Sequence, residues 1–474
     1  MINLEIPKKF GGLVSQSRQV ATEIFRPNSR KYDTAEHEYP KELDMLAALI
    51  DGMNESGALG GAGAGTVGGG SNGSNGSKDS KGSKGSKGSK GSKGSNGSNG
   101  SNGKGRDVGL RANSQSSASA EDADSELSAS TEDADSQSSM SAENGTRNGS
   151  NMASLLGLME LCWGDVGLLL AMPRQGLGQA AIAAVANEDQ LARFGGKWAA
   201  MAITEPEAGS DSAAIRTTAR LDGDEYVLNG EKIFVTSGDR AELIVVWATL
   251  DRSQGRAAIK SFVVERDNPG LKLDRLEHKL GIRASDTANF VLQDCRVPKD
   301  NLLGDPEIAL KGGFSGVMQT FDNTRPLVAG MAVGVARACL ESTRQHLEAA
   351  GIKIDYNRPG FAGRDQSAAA AEFIAMEADW EAARLLTLRA AWMADNKQPN
   401  SLQASMAKAK AGRMGTDVAL RCVALCGATG FGEAELMEKW ARDAKILDLF
   451  EGTQQIQLLI IARLLLSRTS AELK

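Results

Sequence analysis

ILDLFEGTQQIQLLIIAR, residues 446–463, places a single carboxylate, Glu451, directly before Gly452 and Thr453 and between two strongly apolar helical runs. Such a Gly-Thr step predicts a break between helices, with Glu451 standing at it. Apolar walls on either side would strip the carboxylate of water and raise its pKa, which suits it to act as a base toward a weakly acidic carbon. A solvated glutamate at an ordinary helix end is the alternative, and the rest of the chain has to decide between them.

Working outward, the 474 residues contain 54 glycines, far above the average share, and 22 of them lie between residues 55 and 150. Between residues 55 and 150 a Gly/Ala patch leads into SNG and SKG triplets and then into two near-copies, SASAEDADSELS and SASTEDADSQSS. The tract is basic in its first half and acidic in its second, and lacks the apolar residues a core needs. It is expected to be a disordered low-complexity insertion, with partner recruitment as its conceivable use. A net charge of −6 argues against nucleic acid as a partner, and the apolar runs are too short and too punctuated by charge for a membrane span. Five scattered cysteines fit reduced thiols in a cytoplasmic setting, and MINLEIPKKF has neither a signal peptide's apolar core nor a transit peptide's bias. The three histidines are separated from one another and from every cysteine in sequence, so no metal site and no Ser-His-Asp triad is predicted.

The remaining chain divides by periodicity. Residues 1–54 carry two helical patterns, at 12–27 and 37–53, the second with Pro40 near its start. Helical spacing resumes at 151–196. Residues 197–305 change to short β-branched runs separated by DG, NG, SG and NPG turns, a small antiparallel β domain. From 306 to 474 the long segments are helical again, about four of them, the size of an antiparallel bundle. The fold class is therefore α+β: an N-terminal helical domain split by the insertion, a β domain, and a C-terminal four-helix bundle.

Two loops add polar chemistry. Ile203-Thr204-Glu205-Pro206-Glu207-Ala208-Gly209-Ser210-Asp211 ends the first β segment, where Pro and Gly shape a tight turn whose hydroxyls and N–H groups can converge on a planar polar ligand, or simply make a polar β-turn. In NGEKIFVTSGDRA, Phe234 and Thr236 are two apart on a predicted strand and so share a face, as any inward-facing pair would.

These motifs resemble those of acyl-CoA dehydrogenases. Thr-Glu-Pro-x-Ala-Gly-Ser-Asp at 204–211 and Phe-Glu-Gly-Thr-x-x-Ile-Gln at 450–457 carry the likeness, which spans residues 151–474 well and residues 1–54 weakly. It implies FAD as cofactor, with Ile203, Thr204, Gly209 and Ser210 around the flavin, Phe234 and Thr236 against it (Phe234 standing where the family usually has Trp), and Thr453 and Gln455 near its adenosine half. It implies an acyl-CoA substrate touched by Ser210, Asp322, Arg325 and Gly452, where Phe321-Asp322-Asn323-Thr324-Arg325-Pro326 is similar to the family's CoA-contacting segment. Read without the resemblance, Asp322 is equally a helix cap. Glu451 matches the base that removes the α-proton while the β-hydride goes to flavin N5, giving a trans-2-enoyl-CoA as in fatty-acid β-oxidation, with electrons leaving to an electron-transferring flavoprotein.

Two departures from the family pattern bear on assembly. Where the family has Arg-x-Thr-Phe-Gly and Gln-x-x-Gly-Gly, which reach across a dimer to the partner's FAD, this chain reads Ala349-Ala350-Gly351-Ile352-Lys353 and Ala424-Leu425-Cys426-Gly427-Ala428. An oligomer is expected, in the form of a heterotetramer with a related subunit that supplies the arginine. The competing expectation is a non-catalytic structural or binding subunit of such a complex.

Overall fold

The computed structural model describes residues 6–55, 148–174, 177–308, 315–356, 366–468 and 472. The insertion expected at 55–150 lies outside these residues except at its ends. So does the side chain of Asp322.

The first helical run comprises α1 (Gly11–Val20), a π turn (Ala21–Phe25) and α2 (Arg26–Thr34). It continues past the predicted end at residue 27. Pro27 lacks an N–H and its ring crowds the carbonyl one turn back, and the wider π turn directly before it absorbs that defect without stopping the helix. The second helix, α3 (Glu42–Glu55), begins after Pro40, later than the predicted residue 37, because the segment before it turns: His37 has a φ of +73°. Four further helices complete this lobe: α4 (Ser150–Gly164), α5 (Val166–Ala171), α6 (Leu177–Val185) and α7 (Glu188–Phe194). α7 opens with a reciprocal cap in which Asn187 and Gln190 each bond the other's backbone N–H.

The β domain has seven strands: β1 (Ala199–Ala202), β2 (Thr218–Asp222), β3 (Glu225–Thr236), β4 (Leu243–Thr249), β5 (Ile259–Glu265), β6 (Leu271–Leu276) and β7 (Thr287–Pro298). β2–β3–β7–β6 form an antiparallel run and β5 pairs antiparallel with β4, as expected. β1, however, lies parallel to β4, with Ala199 opposite Leu243, so the sheet is mixed at that edge. Every residue of β4 is buried, the pattern of a strand covered on both faces.

Three long helices follow, α8 (Ser315–Ala349), α9 (Ala368–Asp395) and α10 (Ser401–Phe431). The fourth is divided into α11 (Met437–Ala444) and α12 (Gln454–Leu466), and the break between them carries Glu451, where the sequence put it. Small residues line α10 (Ala404, Ala407, Ala411, Gly412, Gly415), which lets it lie close to α8 and to the break.

Buried charges tie the lobes together. Arg337 of α8 holds Glu160 of α4 with two bonds of 2.8 and 2.7 Å, and Arg18 of α1 joins it at 2.6 Å. Lys439 of α11 donates to Asp165 at 2.6 Å and Asp443 at 2.5 Å, and the second Asp443 oxygen accepts the N–H of Ile282 from the β6–β7 connection at 2.6 Å. Gly281 is required in that connection, since a Cβ there would stand 2.5 Å from the backbone of Arg442.

Candidate active site

Glu451 occupies the left-handed region with a φ of +53°, followed by Gly452 at +92°. A non-glycine residue in that conformation costs roughly 1–2 kcal/mol, and the surroundings hold it there. Gln457, fully buried, donates from Nε2 to the carbonyls of Glu451 (3.2 Å) and Gly452 (3.3 Å), and Lys408 of α10 donates to the Gly452 carbonyl at 2.6 Å. A Cβ on Gly452 would meet Gln457 Nε2 at 2.3 Å. Thr453 caps α12 by accepting the Ile456 N–H at 3.4 Å.

The carboxylate held by this turn is desolvated. Glu451 keeps some exposure as a residue, yet its Oε2 is closed off from solvent and has no hydrogen-bond partner. Burial raises its pKa above the ordinary carboxylate value, opposed by a hydrogen bond from Thr324 and by the charges of Lys408 and Arg325. The solvated helix-end alternative does not hold. The source of the desolvation differs from expectation, however. On the bundle side Leu447 is buried and Phe450 packs against the core, but Leu458 and Leu459 on the α12 side are 52% and 41% exposed. Polar residues from α8 and α10 complete the enclosure.

Lys408 was not legible as a site residue. It is fully buried, and desolvation lowers its pKa to about 8 although Asp448 and Glu451 favour the charged form. The available signal was its spacing: Lys408 lies on the small-residue face of α10, four residues from Ala404 and from Gly412, where a lysine has no route to solvent. Arg325 is also buried, at 3% exposure, and its charge acts on Glu451 and Lys408.

The β domain presents a second group of predicted residues. The loop 203–211 and strand β3 are joined by a 2.9 Å bond from Ile233 N–H to the Thr204 carbonyl. Behind that junction lies an ion pair the motif reading missed. Lys232, fully buried, donates to Glu205 at 2.7 Å and to the Ile203 carbonyl at 3.0 Å, while Glu205 also accepts the Thr217 N–H and hydroxyl at 2.9 and 2.5 Å. Burial opposes the charge on Glu205, but Lys232 and these hydrogen bonds outweigh it and hold its pKa below the ordinary value. Burial brings Lys232 down to about 8. The Thr-Glu-Pro turn is thus pinned from beneath.

Phe234 is 59% exposed, with a φ of +58° and its N–H held by buried Asn289 at 3.0 Å. A β-bulge between Lys232 and Val235 produces this presentation, a feature that simple strand alternation does not anticipate. Val235 is buried and Thr236 partly exposed, so Phe234 and Thr236 do share the open side. Gly209 and Ser210 are exposed, Thr204 is half-buried, and Ile203 belongs to the buried core. On α12, Gln455 is exposed. An aromatic ring kept out of the core by a strained, hydrogen-bonded backbone fits a stacking surface for a planar cofactor, and the adjacent hydroxyl loop supplies polar contacts for its edge.

A helical lobe, a sheet lobe with an exposed aromatic platform, and a bundle with a desolvated carboxylate fit an enzyme that holds a planar cofactor. The comparisons give the family. Residues 200–295 match the acyl-CoA dehydrogenase middle domain and residues 311–466 the acyl-CoA dehydrogenase C-terminal domain. The chain is 40% identical over 270 residues to the mitochondrial short-chain specific acyl-CoA dehydrogenase of Rattus norvegicus, a match covering 56% of this chain and 63% of that protein. It is 37% identical over 269 residues to a probable acyl-CoA dehydrogenase of Bacillus subtilis, covering 56% of this chain and 67% of the relative. Among solved structures, butyryl-CoA dehydrogenase from Megasphaera elsdenii superposes with a TM-score of 0.69 at 25% identity, covering 98% of this chain and 100% of the other. An acyl-CoA dehydrogenase from Geobacillus kaustophilus gives 0.59 at 30% identity, covering 66% and 82%. The chain belongs to the acyl-CoA dehydrogenase family, whose cofactor is FAD.

Proposed function

We propose that this chain dehydrogenates an acyl-CoA thioester between its α and β carbons, with Glu451 as the base. The observation that carries the reading is the enclosed, unpartnered Oε2 of Glu451, raised in pKa and held on a strained turn. An α-proton of a thioester is too weakly acidic for an exposed carboxylate. A desolvated one, whose charge is tempered but not cancelled by Thr324, Lys408 and Arg325, is better matched. Gln457 and Lys408 fix the turn so that the free oxygen, not the backbone, meets the substrate. Bound FAD would supply the hydride acceptor. Thr204, Gly209, Ser210, Phe234 and Thr236 would hold it, with Thr453 and Gln455 toward its adenosine half, while Ser210, Asp322, Arg325 and Gly452 would face the acyl-CoA. The names of the most similar relatives put short acyl chains first among substrates to try, and an electron-transferring flavoprotein is the proposed acceptor.

The assembly proposal rests on two surfaces. Ala350 and Ala424, in the segments where a partner-reaching Arg and Gln would be expected, are both exposed, and α12 ends in leucines 464–466 that are 44–60% exposed. A related subunit covering the leucines and supplying the missing cation would make a heteromer with fewer flavins than chains. The second reading, a silent subunit, rests on the same alanines.

Glu451→Gln separates the readings. Exchange of the α-proton of butyryl-CoA with deuterium oxide should fall by at least about a hundredfold relative to wild type. Wild-type protein that catalyses no exchange, alone or with its co-purified partner, would establish the silent subunit instead. Full FAD occupancy of a homo-oligomer would refute the heteromer.

A further inference from the structure

Two of the three histidines in the chain meet at the boundary between the N-terminal helical lobe and the β domain, far apart in sequence and outside the proposed catalytic groups. His37 lies just beyond α2 and His278 in the connection from β6 to β7. Their rings stand 4.8 Å apart between centroids. Glu36 completes the cluster, and one ligating atom from each of the three lies within 4.8 Å of the others.

His37 is the member that the protein leaves unused. Both ring nitrogens of His37 are closed off from solvent and have no hydrogen-bond partner, although its backbone is held at a φ of +73° to put the ring there. Leaving such groups unsatisfied is costly, and it singles out the site. Glu36 has one oxygen engaged by the Lys279 N–H at 2.7 Å, which orients the carboxylate, and turns the other toward His278 Nδ1 at 3.0 Å. The His278 side chain is 83% exposed and therefore free to swing. Burial lowers the pKa of His37, opposed by Glu36 and Asp286 and helped by Lys279 and His278.

We propose that Glu36, His37 and His278 form a binding site for a borderline divalent cation, zinc being the best match, which staples the N-terminal lobe to the β domain. Two imidazoles and one carboxylate are a common zinc donor set, with the fourth position left to water on the exposed side. Ligand atoms around zinc stand about 3.3 Å apart given bonds of about 2.0–2.1 Å, so a modest rotation of exposed His278 closes the site. The oriented second oxygen of Glu36 is the kind of supporting contact that metal-ligating groups carry. Lys279 is the unfavourable neighbour, and its ammonium is directed away, onto the Ser285 carbonyl at 2.7 Å. Magnesium, which prefers oxygen donors and keeps its waters, should not bind.

The full-length protein, reduced and stripped with chelator, is titrated with zinc chloride while its melting temperature and the heat of binding are followed. Wild type should bind one zinc and melt several degrees higher, reversibly on adding chelator. His278→Ala, at an exposed position, and His37→Gln should each weaken binding by at least about tenfold and remove the shift. Magnesium chloride should produce none. Zinc absorption spectroscopy should report nitrogen and oxygen neighbours. An equal response in wild type and both variants, a sulfur shell at about 2.3 Å from cysteine ligation, or no response in wild type overturns the proposal.

Discussion

Replacing Lys439 by Met is the sharpest test of how the lobes are held. The Lys439, Asp165 and Asp443 side chains are 1%, 0% and 0% exposed, and the ammonium lies 2.6 and 2.5 Å from the two carboxylates. Their remaining oxygens are served by backbone: Asp165 accepts the Leu168 N–H at 2.8 Å and Asp443 the Ile282 N–H at 2.6 Å, while the Ser29 hydroxyl also donates to Asp165. Methionine fills nearly the same volume, so packing loss is small. What remains is two carboxylates in one dry space without a cation. Removing one partner of a buried pair costs about 3–5 kcal/mol, a large share of the roughly 5–15 kcal/mol by which domains are stable.

Urea unfolding at pH 7, followed by tryptophan fluorescence and by circular dichroism, should show a midpoint shift of that size with an unchanged slope. The pH dependence has a definite sign. Burial, with Asp165 beside it, already raises the Asp443 pKa against the opposing charge of Lys439. Without Lys439 the folded carboxylate binds its proton still more tightly than the unfolded one. The variant's deficit should therefore be greatest at neutral pH and shrink as pH falls through the raised folded value. A loss below about 1 kcal/mol at pH 7, the size of an ordinary substitution, would refute the reasoning, as would a deficit that does not change with pH.

Phe234→Gly should dissociate two properties: it relieves a left-handed backbone strained by roughly 1–2 kcal/mol, raising the melting temperature, while FAD, followed by flavin fluorescence, binds several-fold more weakly for want of the ring. A destabilised variant with unchanged FAD affinity would contradict both halves. Lys408→Met removes a positive charge that lowers the Glu451 pKa, so the acid limb of the α-proton exchange profile should move to higher pH; a limb that stays or moves down would remove Lys408 from the site. The same variant gives up the bond to the Gly452 carbonyl and should lose about 1–3 kcal/mol of stability in urea unfolding.

The carboxylate turn, the Thr-Glu-Pro loop and the three-lobe order were readable because local chemistry marks them: Gly, Pro and hydroxyl residues punctuate the chain where periodicity changes. Phe234 and Glu451 were readable as positions but not as conformations, since a bulge and a left-handed glutamate depend on Asn289 and Gln457, which no spacing rule connects to them. Lys232 and Lys439 were invisible for the same reason. Lys232 meets Glu205 across 27 residues and Lys439 meets Asp165 across 274, and a pairing of that range leaves no period in the sequence. Apolar spacing ended the first helix at residue 27, too early, because a single π turn carries it past Pro27 to Thr34.

The apolar run after Glu451 misled in a more useful way. Periodicity reads ILDLFEGTQQIQLLIIAR as two walls around the carboxylate, and in a single chain only the first wall is covered. The leucines of α12 remain open, at 52% for Leu458 and 60% for Leu466. An apolar surface on the helix that leads out of the Glu451 turn costs solubility unless something covers it. The expectation of burial therefore fits an assembly better than it fits one chain, and Thr453 and Gln455, proposed for the adenosine half of the flavin, lie at the start of that same helix. In the proposed heteromer, the subunit covering α12 would reach the flavin of this chain, whereas the alanines at 349, 350 and 424 would offer that subunit's own flavin no polar contact.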